Sequence, residues 1–172
     1  MTAAQLQEIL NCATSKAILF CDPLNITMLN YKINTTLRQS AFIAQVGHES
    51  GRLQYVRELA SGKAYEGRKD LGNIDSGDGV KFKGRGLIQI TGRTNYKLCG
   101  DALNLDLINH PELLELPINT ALSAGWFWYT RKLNALADKP DFKKITRVIN
   151  GGLNGESERE AFYQKALTIL QG

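Results

Sequence analysis

The chain has 172 residues, of which 43% are hydrophobic and 22% are charged, values that fit a single globular domain over residues 1–172 and exclude a disordered or low-complexity chain. Its three cysteines have no close paired spacing, which argues against a disulfide framework and a zinc site and indicates folding in a reducing compartment. A formal net charge of +4 and a pI of about 9.0 favour an anionic partner, such as a cell-wall polymer, a lipid headgroup or nucleic acid, without choosing among them.

The N-terminal region predicts short helices. Residues 2–12 and 15–21 have helical patterns, Asp22-Pro23 predicts a break, and residues 24–33 predict another short helix. The stretch Met1 to Leu10 lacks a basic region, so no cleaved signal peptide is expected. The apolar run that ends before Asp22 is too short to span a membrane.

A central helix is predicted over residues 36–49, after cap-forming residues at 34–36 and before a stop at Gly51. Glu49 then lies in its last turn, where the helix dipole and apolar neighbours disfavour an ionised carboxylate. Both effects would raise the pKa of Glu49, as a general acid requires. The alternative is a solvent-facing glutamate at a helix end. His48 beside it is more typical of a supporting histidine than of a catalytic one.

The segment from Arg52 to Gly79 is polar and glycine-bearing, with only a short helix predicted near Ala64-Tyr65-Glu66. Long irregular segments in compact domains are usually functional or disordered. This one carries Glu58, a second candidate carboxylate nine residues after Glu49. We therefore interpret it as a binding loop, in which Glu66 is a rival to Glu58.

A small antiparallel element is predicted next, because residues 80–83 alternate in polarity and residues 87–90 are strand-like. Gly84-Arg85-Gly86 between them lacks the spacing of a nucleotide-binding loop and is more typical of a bulge or a close backbone approach to a ligand. Thr91 is predicted to cap a helix over residues 92–103.

The C-terminal half predicts further helices, beginning at Pro111-Glu112, over 118–133, over 140–149 from Pro140-Asp141, and over 156–170. Asn150-Gly151-Gly152 predicts a left-handed cap after the third of these. Trp126 and Trp128 are interpreted mainly as core residues. The alternative is that one of them forms the floor of a sugar site.

Four ordered stretches resemble glycoside hydrolase family 19, which comprises the plant-type chitinases and their bacteriophage endolysin relatives. They are Gly47-His48-Glu49-Ser50-Gly51, the run Lys83 to Tyr96, Trp126-Phe127-Trp128, and the run Ile149 to Gly155. The resemblance extends over about residues 36–165, nearly the whole chain. The stretch Arg57 to Arg68 resembles the endolysin branch more than the plant enzymes.

The resemblance implies a mostly α (α+β) fold that is lysozyme-like, with two helical lobes and a small β element. It implies that Glu49 is the general acid, Glu58 the general base, and Thr91 the hydroxyl that helps to hold the attacking water. The further residues that it implies are Gln89, Asn95, Tyr96 and Asn150 for substrate binding, and His48 and Arg159 for support.

One position departs from the family pattern. Plant enzymes have a glutamate where this chain has Asn154, so the ion pairs that Arg159 makes behind the acid must differ. Either Glu156 takes that place or no acidic residue does.

The implied reaction is a single displacement with inversion, for which the two carboxyl groups must stand roughly 6.5–9.5 Å apart to admit a water molecule. No metal or cofactor is called for. The predicted substrate is peptidoglycan, favoured by the endolysin-like loop, the missing secretion signal and chitin-binding cysteine module, and the basic charge. Chitin is the alternative, because both polymers contain β-1,4-linked N-acetylglucosamine-type sugars.

An endolysin of this kind is expected to be a monomer that accumulates in the host cytoplasm and reaches the periplasmic cell wall through a holin-type pore. Two other classes are disfavoured. A catalytically dead sugar-binding module would have lost a carboxylate, yet Glu49 and Glu58 are both present. A nucleic-acid-binding protein would cluster its basic residues, which here are spread among acidic ones.

Overall fold

The computed structural model describes residues 1–139 and 141–171, and α-helices make up most of them. The α-helices are α1 (Ala3–Leu10), α2 (Thr14–Asn30), α3 (Thr36–Glu49), α4 (Asp78–Lys81), α5 (Arg93–Leu103), α6 (Pro117–Thr130), α7 (Leu133–Ala137), α8 (Phe142–Asn150) and α9 (Glu156–Leu170). Single 3₁₀ turns lie at Lys63–Tyr65, Lys69–Leu71 and Pro111–Glu115. The mostly helical prediction is confirmed. Pro140, at which α8 was predicted to begin, lies outside the described residues.

Helix α3 passes through the core and packs most extensively against α9. The Thr35 side chain accepts a hydrogen bond from the Arg38 amide and caps the start of α3, while Phe42, Ile43 and Val46 are fully buried. Each such side chain contributes roughly 1.5–3 kcal/mol on burial. The ring of Trp128 on α6 meets Phe42 edge-on, with centroids 5.3 Å apart, which confirms Trp128 as a core residue. The predicted helix over 36–49 is confirmed.

The predicted break at Asp22-Pro23 is wrong, because α2 continues through Pro23 without interruption. Proline removes one backbone donor and disfavours a helix interior. Here the helix keeps one buried face on both sides of it, formed by Ala17, Phe20, Leu24 and Met28, which packs against α1 and α6. Burial of that face outweighs the local cost.

The small β element is reduced to two isolated antiparallel bridges, which join Arg57 to Arg85 and Arg85 to Ile90. The alternation at 80–83 was misleading, since Asp78–Lys81 form a helical turn. Thr91 does not cap α5. Gly92, at φ 91°, precedes that helix, and no side chain caps it.

Several predictions of element ends are confirmed. The 3₁₀ turn Lys63–Tyr65 lies where the short loop helix was expected, and α8 ends at Asn150 with Gly151 left-handed at φ 78°. Helix α9 matches the predicted residues 156–170. By contrast, α6 ends at Thr130 and so stops short of residue 133.

The three cysteine thiols are all buried and unpaired. Burial raises the pKa of the Cys99 thiol to about 12, which makes it inert at neutral pH. In residues 1–139 and 141–171, no helix has the length and apolar character needed to cross a membrane. The same residues contain no group of three or more histidine, cysteine or acidic side chains placed to hold a metal ion.

Candidate active site

Glu49 is the last residue of α3, and its carboxylate is bound by a buried arginine. The Arg159 guanidinium of α9 donates to Glu49 Oε1 at 2.5 Å and to Gln45 Oε1 at 2.5 Å. It also donates to the Asn154 carbonyl at 3.0 Å. The side chain of Arg159 is 1% exposed and that of Glu49 is 22% exposed. The acid candidate is thus fixed from behind, while part of its surface stays open.

The network continues into the core, because Gln45 Nε2 donates to Thr146 Oγ1 on α8 at 2.9 Å. The network places the Arg159 guanidinium directly behind the Glu49 carboxylate. The structure also resolves the departure at Asn154. The Asn154 backbone carbonyl accepts a hydrogen bond from Arg159. Glu156 instead forms an ion pair with Lys143 at 2.6 Å and does not contact Arg159 through a hydrogen bond.

His48 supports the same region through Glu158. His48 Nδ1 lies 2.7 Å from Glu158 Oε2, and Arg52 donates to Glu158 Oε1 at 2.9 Å. Burial raises the pKa of the Glu158 carboxyl, but the hydrogen bonds from Arg52 and His48 outweigh it and hold that pKa below its ordinary value. The imidazole also lies against Gly155, where a Cβ would come within 2.0 Å of the ring. His48 is therefore held in place from two sides.

A left-handed turn directly follows Glu49 and leads toward Glu58. Gly51, Arg52 and Leu53 all have positive φ, of 57°, 61° and 65°. Each non-glycine residue in that conformation costs about 1 kcal/mol. The fully buried Leu53 side chain and the hydrogen bond from its amide to Ser50 Oγ at 2.8 Å offset this cost. Strained backbone that the surrounding structure holds in place is typical of functional sites.

Glu58 has one oxygen fixed and the other without a protein partner. Its Oε2 accepts from the Tyr65 hydroxyl at 3.0 Å and from the Gly84 amide at 3.1 Å. Its own amide donates to the Gly84 carbonyl at 2.9 Å. Oε1 is buried and accepts no hydrogen bond from the described residues. The lone pairs of Oε1 are therefore not committed to a protein donor, which a general base requires.

The approach of Gly84 to this carboxylate requires a glycine. A Cβ at that position would lie 2.7 Å from Glu58 Oε2 and 2.5 Å from the Gln89 amide oxygen. Arg85 anchors the backbone here, because it is 8% exposed and donates to Glu115 Oε1 at 2.8 Å. The prediction was a bulge or a close backbone approach to a ligand, whereas the groups that Gly84 approaches in the structure are the side chains of Glu58 and Gln89.

Tyr96 does not fit its predicted contact with substrate. The side chain is fully buried, its hydroxyl donates to the Lys83 carbonyl at 2.5 Å, and Arg85 donates to the hydroxyl at 2.9 Å. Burial raises the pKa of Tyr96 far above its ordinary value, despite the neighbouring arginine. Tyr96 therefore supports the Lys83–Gly84 backbone from inside the core.

Gln89, Thr91 and Asn95 line one small pocket of about 120 Å³, together with Trp126 and Arg131. The Thr91 carbonyl accepts from Asn95 Nδ2 at 2.8 Å. Among the described residues, no partner binds the Thr91 hydroxyl, which is thus available to a ligand. Trp126 is half-buried at this pocket and fits the alternative interpretation of an aromatic residue at a sugar site.

Glu66, the rival base, is occupied in the loop. Its Oε1 accepts from the Gly77 amide at 2.6 Å and its Oε2 from the Gly79 amide at 2.8 Å. Both oxygens hold the backbone around α4, so this glutamate has a structural role.

The predicted site residues form two clusters. Glu49, His48 and Arg159 lie at the junction of α3 and α9, and Glu58 with Gln89 lies at Gly84. No hydrogen bond between described residues links the group around Glu49 to the group around Glu58. Asn150 is exposed at the end of α8, and its side chain makes no hydrogen bond to the described residues.

Sequence reasoning missed Gln45, Tyr65 and Glu158. Gln45 carried a signal, since it lies one turn before Glu49 and is the polar residue of an otherwise apolar stretch. Tyr65 had no signal beyond being an aromatic side chain in a polar loop. The role of Glu158 in holding His48 depends on the packing of α9 beside α3, which the sequence does not show.

Comparison with known proteins gives consistent matches. The family model for glycoside hydrolase family 19, described as "Chitinase class I", matches residues 33–137. A "Glycosyl hydrolase family 19 domain-containing protein" of Haemophilus influenzae is 36% identical over 163 residues, covering 74% of this chain and 78% of that protein. "Acidic endochitinase SP2" of Beta vulgaris is 32% identical, covering 73% of this chain but only 46% of that protein. The crystal structure of a bacterial family 19 chitinase matches with a TM-score of 0.78 at 27% identity, over 98% of this chain and 94% of that one.

Proposed function

The chain belongs to glycoside hydrolase family 19, and we propose that it hydrolyses the β-1,4 glycosidic bonds of peptidoglycan by an inverting acid/base mechanism. Glu49 protonates the leaving glycosidic oxygen. Glu58 takes a proton from a water molecule, which attacks the anomeric carbon from the opposite face. The Thr91 hydroxyl helps to hold that water, and the nearby amides of Gln89 and Asn95 contact the sugar.

The single observation that carries this proposal is the state of the Glu58 carboxylate. Tyr65 and Gly84 fix Oε2, while Oε1 is buried and receives no hydrogen bond from the described residues. A structural glutamate would use both oxygens, as Glu66 does. Glu49 is oriented by Arg159, so different groups hold the two carboxylates.

The choice of peptidoglycan rests on charge and on the loop from Arg57 to Arg68, which resembles the endolysin branch. The net charge of +4 suits an anionic wall polymer better than neutral chitin. Chitin is the second candidate, favoured by relatives that are named as chitinases, such as the Beta vulgaris endochitinase. As an endolysin, the protein would be a monomer made in the host cytoplasm that reaches the periplasmic wall through a holin-type pore.

The decisive test is digestion of purified peptidoglycan and of chitin oligomers by the unaltered protein. Mass spectrometry of new reducing ends should find N-acetylmuramic acid, and NMR should find the α-anomer first, as inversion of a β-linkage requires. Cleavage of chitin oligomers with intact peptidoglycan would retain the mechanism and refute the substrate. A first-formed β-anomer would refute inversion.

The catalytic assignment is tested in the same assay with Glu49→Gln and Glu58→Gln. Each should lower turnover by about 10²–10⁴-fold, since each removes one acid/base group. Glu8→Gln, an exposed carboxylate change on α1, serves as the matched control and should keep full activity. Full activity in either of the first two variants would contradict the assignment.

A further inference from the structure

A second depression lies at the C-terminal ends of α2 and α6, beyond the candidate active site. It has a volume of about 550 Å³, and its lining includes Lys32, Tyr129, Thr130, Lys132 and Asn134. We call it the lysine cavity. None of the candidate acid, base or water-holding residues lines it.

The lysine cavity carries excess positive charge. Lys32 and Lys132 are exposed, and within residues 1–139 and 141–171 neither makes an ion pair. Arg38, which also lines the cavity, is neutralised because it donates to both carboxylate oxygens of Asp138, at 2.7 and 2.6 Å. Two uncompensated ammonium groups therefore face the same depression.

Both lysines occupy a backbone conformation that favours glycine. Lys32 and Lys132 each have φ of 55° and each follows the C-cap residue of its helix, α2 or α6. Glycine is the usual residue at that position, because a side chain is disfavoured at positive φ. The helix dipole attracts cations, but a lysine in the last helical turn would satisfy it without this cost. Two neighbouring helix ends thus carry a lysine despite this conformational cost.

An aromatic surface accompanies the charge. The Tyr129 side chain is 60% exposed, and its ring lies 6.0 Å from that of Tyr31. Exposed aromatic rings beside polar groups are typical of surfaces that bind other molecules. Asn134 holds the two helix ends together, since it donates to the Tyr31 carbonyl at 3.0 Å and accepts from Trp128 Nε1 at 2.9 Å.

The lysine cavity adjoins a neighbouring depression on α6, which in turn adjoins the pocket of Gln89 and Thr91. Thr130 lines both this cavity and a neighbouring depression that includes Asn95, Trp126 and Arg131. Those three residues also line the small pocket of Gln89 and Thr91. A polymer strand lying in the active site thus has a path along the end of α6 to the two lysines.

We propose that the lysine cavity is an accessory subsite that binds the carboxylates on the peptide stems of a peptidoglycan strand while its sugar backbone occupies the active site. This inference rests on the proposed function. Chitin is uncharged, so the two lysines would not increase its binding affinity. The subsite therefore favours the anionic polymer, although both polymers share a similar sugar backbone.

The test is sedimentation with insoluble peptidoglycan and with insoluble chitin, in a Glu49→Gln background so that neither polymer is consumed. Lys32→Gly/Lys132→Gly removes both charges and suits the left-handed backbone, so its Tm should equal or exceed that of the background. Lys144→Gln/Lys165→Gln, at exposed positions outside the cavity, is the charge-matched control. The cavity variant should bind peptidoglycan about three- to tenfold more weakly than the control, as two exposed charge contacts would give.

Three results decide the matter. The subsite is supported if the cavity variant binds peptidoglycan more weakly than the control but binds chitin equally well. Lys32→Arg/Lys132→Arg should then restore binding, and the difference between the cavity and control variants should disappear near about 0.5 M salt. Equal binding by the cavity and control variants overturns it, and so does an equal loss on chitin, which would indicate a neutral sugar contact. The proposed function fails by a different result, the absence of new reducing ends when the active protein meets peptidoglycan.

Discussion

The two carboxylates of this site are held by different kinds of structure. Glu49 belongs to the interface of α3 and α9, where Arg159 and Gln45 connect it to Thr146 in the core. Glu58 lies in an irregular segment and is held by one tyrosine hydroxyl and one backbone amide. The acid candidate is thus part of a hydrogen-bond network that reaches the core, whereas the base candidate is held by two hydrogen bonds within a loop region.

This difference determines how each side should respond to change. A buried network loses several hydrogen bonds when one member is removed, and a buried charge left alone is costly. A loop carboxylate with a free oxygen can change with little effect on the rest of the molecule. We therefore expect acid-side substitutions to reduce stability and activity together, and base-side substitutions at Glu58 to reduce activity alone.

The largest expected effect is that of Glu58→Gln on turnover, a loss of about 10²–10⁴-fold. Glutamine can still accept from Tyr65 and Gly84, so the free energy of unfolding should change by less than about 1 kcal/mol. Glu49→Gln should cost similar activity but also stability, because it leaves the Arg159 cation buried without its anion. Urea titration of both variants measures the contrast. Equal stability losses would show that the two sides are held alike.

Arg159→Met should lower the free energy of unfolding by about 3 kcal/mol, because it leaves Gln45 and the Asn154 carbonyl without their buried donor. Arg147→Met, an exposed change on α8, is the control and should stay within about 0.5 kcal/mol. Both are measured by urea unfolding. Near-normal stability of Arg159→Met would mean that the network does not connect the acid to the core.

The base-side loop should respond to acid before the α3–α9 interface does, because its acid-sensitive carboxyl is buried, whereas that of Glu158 at the interface is 37% exposed. Asp78 is 2% exposed, and the hydrogen bonds from Arg93 hold the pKa of its carboxyl below its ordinary 3.8, outweighing burial. A carboxyl with a lowered pKa stabilises the fold at pH values above its ordinary pKa, and that contribution is lost as pH falls through the lower folded-state pKa.

The free energy of unfolding should therefore fall as pH drops below about 4. The amides of Ile74 and Asp75 donate to Asp78, so they should lose hydrogen-exchange protection early. Asp78→Asn should cost about 2 kcal/mol at neutral pH and show a shallower fall in acid. Loss of protection first at the α3–α9 interface would contradict this order.

The smallest expected effect is that of Tyr65→Phe, which removes one hydrogen bond to Glu58 Oε2. Turnover should fall about three- to tenfold, because Glu58 is less firmly oriented. This corresponds to an increase of roughly 1 kcal/mol in the activation free energy. Tyr55→Phe is the matched control, since Tyr55 is 45% exposed and makes no hydroxyl hydrogen bond to the described residues. Equal turnover by the two variants would assign the positioning of Glu58 to the Gly84 backbone alone.

Sequence patterns predicted the long and strongly periodic elements well. Helix α3 has a cap, an apolar face and a glycine stop, and these local signals agree with its burial. The prediction failed at Pro23 and at residues 80–83, where a local preference competed with packing. In both places, contacts with distant elements supplied more free energy than the local preference cost.

The sequence by itself determined that the fold is mostly helical and that Glu49 ends a helix, because both follow from neighbours along the chain. For Gly84 it predicted a bulge or a close backbone approach to a ligand. Only the tertiary structure decided which groups hold the carboxylates. Arg159 lies 110 positions from Glu49 along the chain. Whether Glu58 or Glu66 has an oxygen without a hydrogen bond depends on where the folded loop places its backbone amides. Hydrogen bonds between distant segments are set by packing, which no local pattern encodes.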